Sequence, residues 1–472
     1  MIRGLHAFAS TLLLLVLLPL SLHSQDRSDP VTMGTARSSI ATSRGIDALF
    51  TNPGGLDYYT LHETTLPHDL VFSIYSGGGS IGGTYLKGDE FSKIFGSFNG
   101  SSNEQREQIG KLLVDERLFA NGGINFFSGT WRLKNGGGTL GLHYGSRAYA
   151  RINFPDSLPK LIETSNIADQ NFRFVDRGIG VTWLTEFGLS YGKVIGDQTA
   201  KGWFPSTGFG LTAKLIGGVG HFSVDENSAI YIDQINVNGQ LRFLVRGGYV
   251  FQSAEPDNFD QVNAPTNFFS NPFPATAGFG FGVDAGISGI LFRDEKQIFH
   301  YGLTLGNVGT ISWSNKARER QASNFNDTLG ASLTNAEFER FEGDLVDVGS
   351  FSTPLPSIFR AGLGMTLGAN DPDFQGTLTV GLEGETPLNQ VPGNTPDPRL
   401  ALGVDWSVIP EFALRTGISA GGISDFGLGF GFGVRPTEWL SFDVGTSELN
   451  SLFNGDRLDL AGRIAFGFTP GK

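Results

Sequence analysis

Few residues in this sequence could do chemistry, and they are scattered. The chain has seven His and no Cys, so no disulfide can form. His6 and His23 fall in an N-terminal leader described below, which leaves His62, His68, His143, His221 and His300. His143 and His300 each alternate with apolar neighbours, so a strand would turn both onto its polar face. A nucleophile needs an activating base within hydrogen-bond reach, and neither His has a Ser or carboxylate partner at motif spacing. Both are read as polar side chains on an inner wall, together with the carboxylates Glu186, Asp284 and Asp405. The run Gly427 to Gly433 has the glycine density of a phosphate loop. Its glycines alternate strictly with Leu428, Phe430 and Phe432 and open no helix, which argues against a nucleotide fingerprint. Asp371 and Asp373 share a tight turn with no third ligand at calcium-loop spacing. The sequence therefore predicts no metal, no cofactor and no enzyme.

The elements that must position these residues are strands. In residues 180–193, Val181, Trp183, Thr185, Phe187, Leu189 and Tyr191 alternate with Thr182, Leu184, Glu186, Gly188 and Ser190. Phe279, Phe281, Val283, Ala285 and Ile287 likewise alternate with Gly280, Gly282, Asp284, Gly286 and Ser288. The same pattern runs through residues 426–435 and 457–469. Successive strand side chains point to opposite faces, so each segment has one apolar and one small or polar face. Composition agrees: 67 of 472 residues are Gly, roughly double the usual ~7%, and 40 are Phe.

A soluble sandwich alternates too, but three features favour a membrane barrel. The strands commonly reach the ~9–11 residues that a tilted membrane strand needs, against ~5–6 in sandwiches. Trp183, Trp313, Trp406 and Trp439 sit toward strand ends, as an interfacial girdle would place them. Connections alternate in length. Residues 293–296, 370–373, 410–411 and 435–438 are tight polar turns; 252–276, 387–399 and 447–456 are long loops. The fold class read from this is all-β: a transmembrane antiparallel barrel of about 14–16 strands, with residues 66–90 and 228–251 the ambiguous parts. Ser101 with Glu104, and Thr334 with Glu337, are capping-box spacings that predict short helices in external loops.

The first residues read as a secretory leader: Arg3, then an apolar run from Thr11 to Leu22, then Leu22-His23-Ser24 as an exit. The run is too short for a spanning helix and is interrupted by Pro19. The predicted division is residues 1–24 leader, 25–65 an N-terminal segment, and 66–472 the barrel. A formal net charge of −13 makes nucleic acid an unexpected partner.

Residues 33–56 differ from all that follow. Small residues dominate up to Ala48, and Asn52-Pro53 then breaks any helix. Arg37 and Arg44 lie seven apart, so one helix would carry both on one face. This pattern resembles the N-terminal hatch of the FadL-like long-chain fatty acid transporters, where a short helix and an Asn-Pro-Ala-Gly-Leu-type turn enter the lumen. It is equally similar to the corresponding segment of PorV-type barrels. Here the turn is Asn52-Pro53-Gly54-Gly55-Leu56, with Gly54 in place of the usual Ala. Residues 147–155, 355–364, 398–403 and 414–417 resemble internal signatures of an uncharacterised outer-membrane family sharing this hatch.

The resemblance implies an outer-membrane location, contact with lipid, and a plug built from Arg37, Arg44, Asp47, Asn52, Pro53, Gly54 and Gly55. In that plug Arg37 and Arg44 would pair with Glu186, Asp284 or Asp405. It also implies passive uptake of a hydrophobic or amphipathic small molecule. The PorV-type likeness implies instead a non-transporting scaffold for secretion or cell-surface assembly, with a surface or periplasmic protein partner.

Overall fold

The computed structural model describes residues 23–24, 29–58, 69–83, 117–153, 170–173, 179–225, 228–256, 258, 272–329, 343–369, 373–395, 397–422, 426–450 and 457–468. The expected leader, apart from His23 and Ser24, lies outside these residues, as do both capping-box segments.

Fourteen strands close on themselves. In chain order they are β1 (Leu70–Gly83), β2 (Arg117–Arg132), β3 (Thr139–Asn153), β4 (Ile179–Gly196), β5 (Gly202–Val224), β6 (Gly278–Arg293), β7 (Gln297–Trp313), β8 (Ile358–Leu367), β9 (Thr377–Pro387), β10 (Arg399–Ile409), β11 (Phe412–Gly421), β12 (Phe426–Thr437), β13 (Leu440–Thr446) and β14 (Arg457–Phe468). Each pairs antiparallel with the next, and β14 returns to pair with β1, Leu70 opposite Phe468. Closure leaves no unpaired sheet edge in the wall, as a lipid-embedded sheet requires.

The two faces are those the alternation predicts. Phe279, Phe281, Leu211, Leu189 and Leu460 are exposed on the outside, and Gly280, Gly282, Thr212, Ser190 and Asp459 alternate with them on the inside. The rims differ as well. One end carries the short connections 133–138, 197–201, 294–296, 368–376, 410–411 and 438–439, together with the start of β1 and the end of β14. The other end carries every long loop. Among the described residues no helix is long and apolar enough to cross a membrane, and the chain crosses with strands. An apolar outer belt around a polar interior, with one short-turn rim and one long-loop rim, is the build of an outer-membrane barrel.

Two expectations change. Trp183 and Trp313 are not girdle residues: they are 1% and 0% exposed. An extra residue in β7 shifts its register with β6 between Val283 and Ala285, near Asn307 (φ 54), and turns Ile311 and Trp313 inward. Trp183 packs with Ile124, Phe126 and Val219, beside Tyr144, whose ring stacks on Phe273 from the β5–β6 connection. Its indole N–H donates to Ser146 Oγ at 2.8 Å. The exposed Trp are Trp131, Trp203, Trp406 and Trp439, all at the short-turn rim. The second change concerns residues 228–251. They form no wall strand but a sheet beyond the long-loop rim. Strands Gln170–Arg173, Ala229–Val237, Gln240–Ala254, Arg318–Leu329 and Asp344–Asp347 pair in that order.

Candidate functional site

Residues 29–58 lie against the inner face of the wall and are largely buried. They do not form the helix that would carry Arg37 and Arg44 on one face. Pro30–Gly34 is one helical turn capped by Asp29, and Ala36 and Arg37 then adopt positive φ of 51° and 63°. Gly45–Phe50 and Pro53–Gly55 are 3-10 turns. A continuous helix would hold its backbone a side-chain length from the wall, whereas here backbone meets backbone. A Cβ on Gly381 would lie 2.1 Å from the Ser38 carbonyl oxygen, and one on Gly302 2.4 Å from that of Ile40. On Gly445 it would lie 2.1 Å from the Pro30 carbonyl oxygen, and on Gly210 2.1 Å from the Pro53 carbonyl. The inward glycines of the alternation are thus the bed on which this segment lies.

Asn52 organises the turn. Its side-chain oxygen accepts from Gly54 N (3.0 Å), and its Nδ2 donates to the carbonyls of Ile40 (3.0 Å) and Ile287 on β6 (2.9 Å). Pro53 supplies the fixed φ for the first turn position. The Gly54 and Gly55 positions have no room for a side chain: a Cβ would sit 2.7 Å from Ser288 N and 2.3 Å from the Ser43 carbonyl oxygen, respectively. Tyr58 caps the segment, its hydroxyl bonded to Ser206 Oγ (3.2 Å) and Ser288 O (3.3 Å).

The charged contacts differ from those expected. Arg44 donates to Ser288 Oγ (3.0 Å) and to the carbonyls of Ala41 and Ser43, lies 3.2 Å from His300 Nδ1, and stacks over the Tyr58 ring at 4.5 Å. None of Glu186, Asp284 or Asp405 is its partner. Those carboxylates bond to wall residues instead. Glu186 takes His143 Nε2 (2.7 Å) and Lys214 (3.6 Å), Asp284 takes Lys214 (2.8 Å), and Asp405 takes Arg415 (2.9 Å). Neighbouring strands bring these groups within reach of one another, so the wall neutralises itself locally.

The carboxylates that meet the segment are others. Arg37 acts electrostatically on Glu385. Glu383 accepts from the Ile40 amide at 2.8 Å. Arg399 bonds Glu385 (3.0 Å) and donates to the carbonyls of Ala36 (2.5 Å) and Arg37 (3.1 Å). Asp47 pairs with Arg463 on β14 at 2.6 Å, and Asp29 meets the same guanidinium at 3.3 Å. Glu383, Glu385, Arg399 and Arg463 are inward positions of their strands. Alternation finds that, but pairing across more than three hundred residues leaves no spacing signal.

Several small cavities remain in the lumen, two of which bear on passage. One, of about 40 Å³, is lined by Phe50 and Pro53 together with His143, Glu186, Lys214 and Arg147. The other, of about 70 Å³, lies at the long-loop end among Tyr149, Leu184, His221, Ile311, Leu355 and Pro392. Tyr149 lines both. His300 closes a polar chain below them, from Arg44 through its ring to Thr366 Oγ1 (2.9 Å) and Thr379 Oγ1 (3.0 Å).

Among solved structures the chain is similar to the Pseudomonas putida toluene transporter TodX, at 10% identity and a TM-score of 0.43, covering 94% of this chain and 100% of that one. It is also similar to the Ralstonia pickettii toluene transporter TbuX, at 10% identity and 0.39, covering 93% and 97%. A Pseudomonas aeruginosa FadL homologue matches at 12% identity and 0.42, covering 94% and 98%. No curated protein matches. A family model matches residues 71–443, from the first wall strand to the thirteenth, and the chain belongs to that family, the family of unknown function DUF5723.

Proposed function

We propose that this outer-membrane barrel passes hydrophobic or amphipathic small molecules, with the N-terminal segment (residues 25–65) as its hatch. The observation that carries this reading is the seat of residues 29–58: a buried segment held to the inner wall by hydrogen bonds and ion pairs, the kind of contact that can be exchanged for water. Seated, it leaves cavities of about 70 and 40 Å³. A cavity of about 150 Å³ is known to hold benzene, so passage requires the segment or the long loops to move. The apolar lining near Leu184, Ile311 and Leu355 would take the hydrophobic part of a substrate. Arg37 and Arg44 are the plug cations, and Asp47, Asn52, Pro53, Gly54 and Gly55 shape its turn. In planar bilayers, the Arg37→Glu/Arg44→Glu double variant is expected to raise single-channel conductance several-fold. Conductance equal to wild type would remove the plug from the mechanism.

A second reading rests on one different observation, the strands that carry the sheet beyond the long-loop rim. Such a platform suits a protein partner, as a secretion or surface-assembly scaffold would need. Native mass spectrometry on gently extracted protein separates the two. An apolar adduct lost on mutating the hatch favours transport, and a stoichiometric protein companion without an adduct favours the scaffold.

A further inference from the structure

The first half of the segment brings charge to a wall that is already balanced. On the wall, Arg415 of β11 pairs with Asp405 of β10 (2.9 Å) and Asp443 of β13 (2.7 Å), and Arg463 of β14 pairs with Asp443 (3.1 Å). That set holds two guanidiniums and two carboxylates. The seated segment adds Asp29 and Asp47, both directed at Arg463, which then serves three carboxylates. Arg44 of the segment lines the same small cavity as Asp47, Asp405 and Arg415, but its Nη1 and Nη2 bond to Ser288, His300 and two carbonyls. Thr379 of β9, the other wall group there, is neutral. Arg37 acts on Glu385, in a separate group with Arg360 and Arg399.

Asp47 sits inside this group. Its side chain is only 13% exposed. Removal from water raises its pKa to about 6, and the Asp29 and Asp443 charges push the same way against the pull of Arg463.

We propose that seating residues 29–50 on the lumenal wall is coupled to uptake of one proton by the carboxylates around Arg463 and Arg415, so that the segment is held more firmly in mild acid than at neutral pH. The sign follows from linkage. A carboxyl that binds its proton more tightly in the seated state favours seating as pH falls through the seated value, about 6 for Asp47, toward its ordinary value near ~3.9. Above that window the seating equilibrium is flat, and within it one proton changes the equilibrium by up to about tenfold per pH unit. Above pH ~6 the weakly held segment is poised to leave.

The test is hydrogen exchange followed by mass spectrometry on the full chain in detergent between pH 4.5 and 7.5, each rate normalised to an unstructured peptide of the same sequence. Protection of residues 29–50 is expected to fall about tenfold or more as pH rises from 4.5 to 6, then to level off. Residues 52–56, which carry no carboxylate, serve as the internal reference. Asp47→Asn is expected to stay protected across the range, with no slope. Protection independent of pH, protection rising with pH, or a slope retained by Asp47→Asn would each overturn the proposal. The readout is seating itself, so a channel that failed to conduct would count against the hatch reading and leave this one standing.

Discussion

The two halves of the N-terminal segment are held by opposite means. Residues 29–44 rest on β7–β14, and their anchors are largely ionic: Asp29 on Arg463, Arg37 beside Glu385, and backbone carbonyls on Arg399. Residues 45–58 rest chiefly on β4–β6, and apart from Asp47 and Asp57, which accepts from Thr139 Oγ1 and the Val194 amide, they use neutral groups. Asn52 bonds to two carbonyls, Tyr58 to Ser206 and Ser288, and Pro53 and Gly54 press onto bare glycine backbone. Neutral hydrogen bonds in a tight bed are indifferent to pH and salt, whereas a cluster with more carboxylates than guanidiniums is not. On the proposal above, the stretch from Asp29 to Asp47 is the part that responds to its surroundings, and the Asn52–Gly55 turn is the part that does not.

The largest effect expected comes from Arg463→Gln, which leaves Asp29 and Asp47 facing Asp443 with no cation of their own. Breaking a buried pair this way costs roughly 3–5 kcal/mol. Trypsin should then cut at Arg37 or Arg44 in barrels that still run as folded species, and wild-type resistance would show that the ionic half does not depend on Arg463. Asn52→Ala strikes the other half, stranding the carbonyls of Ile40 and Ile287 and the Gly54 amide at roughly 1–3 kcal/mol for each buried group left unpaired. Exchange protection of residues 52–58 should drop while the slope of residues 29–50 with pH survives. A simultaneous loss in both halves would mean that they unseat as one body. Ser288→Ala is the mildest, removing one donor contact to Arg44 where the halves meet, at about 1 kcal/mol. It should slightly raise exchange near Arg44 alone.

Much of the architecture was legible in the sequence because a membrane wall imposes period two on every strand. Phe430 and Phe432 against Gly429, Gly431 and Gly433 announce the outer and inner faces, and the order of short and long connections announces the rims. Trp313 was misread because the bulge near Asn307 reverses the alternation, and a bulge leaves no mark in composition. A helix carrying Arg37 and Arg44 together does not form, because small residues favour close packing as much as helix. Here packing onto the glycine bed won, with Ala36 and Arg37 in left-handed geometry. The ion partners were misassigned for a different reason. Glu186, Asp284 and Asp405 are inward, as expected, but each has a wall cation on a strand nearby. Glu385 and Arg463, the groups that meet the segment, are inward too and carry no further sign in the chain.

The length of the segment's ties has a consequence for assembly. Asp29 reaches Arg463, Arg399 reaches back to Ala36, and Glu383 reaches Ile40, spans of 434, 363 and 343 residues. The stretch that leads the chain therefore has no complete seat until the last strand is in place. Its seating cannot be completed before β14 is paired, and contacts of such high sequence separation form slowly. A fully seated segment thus requires that β14 be present, and a chain stalled before β14 would lack the contacts of Asp29 and Asp47.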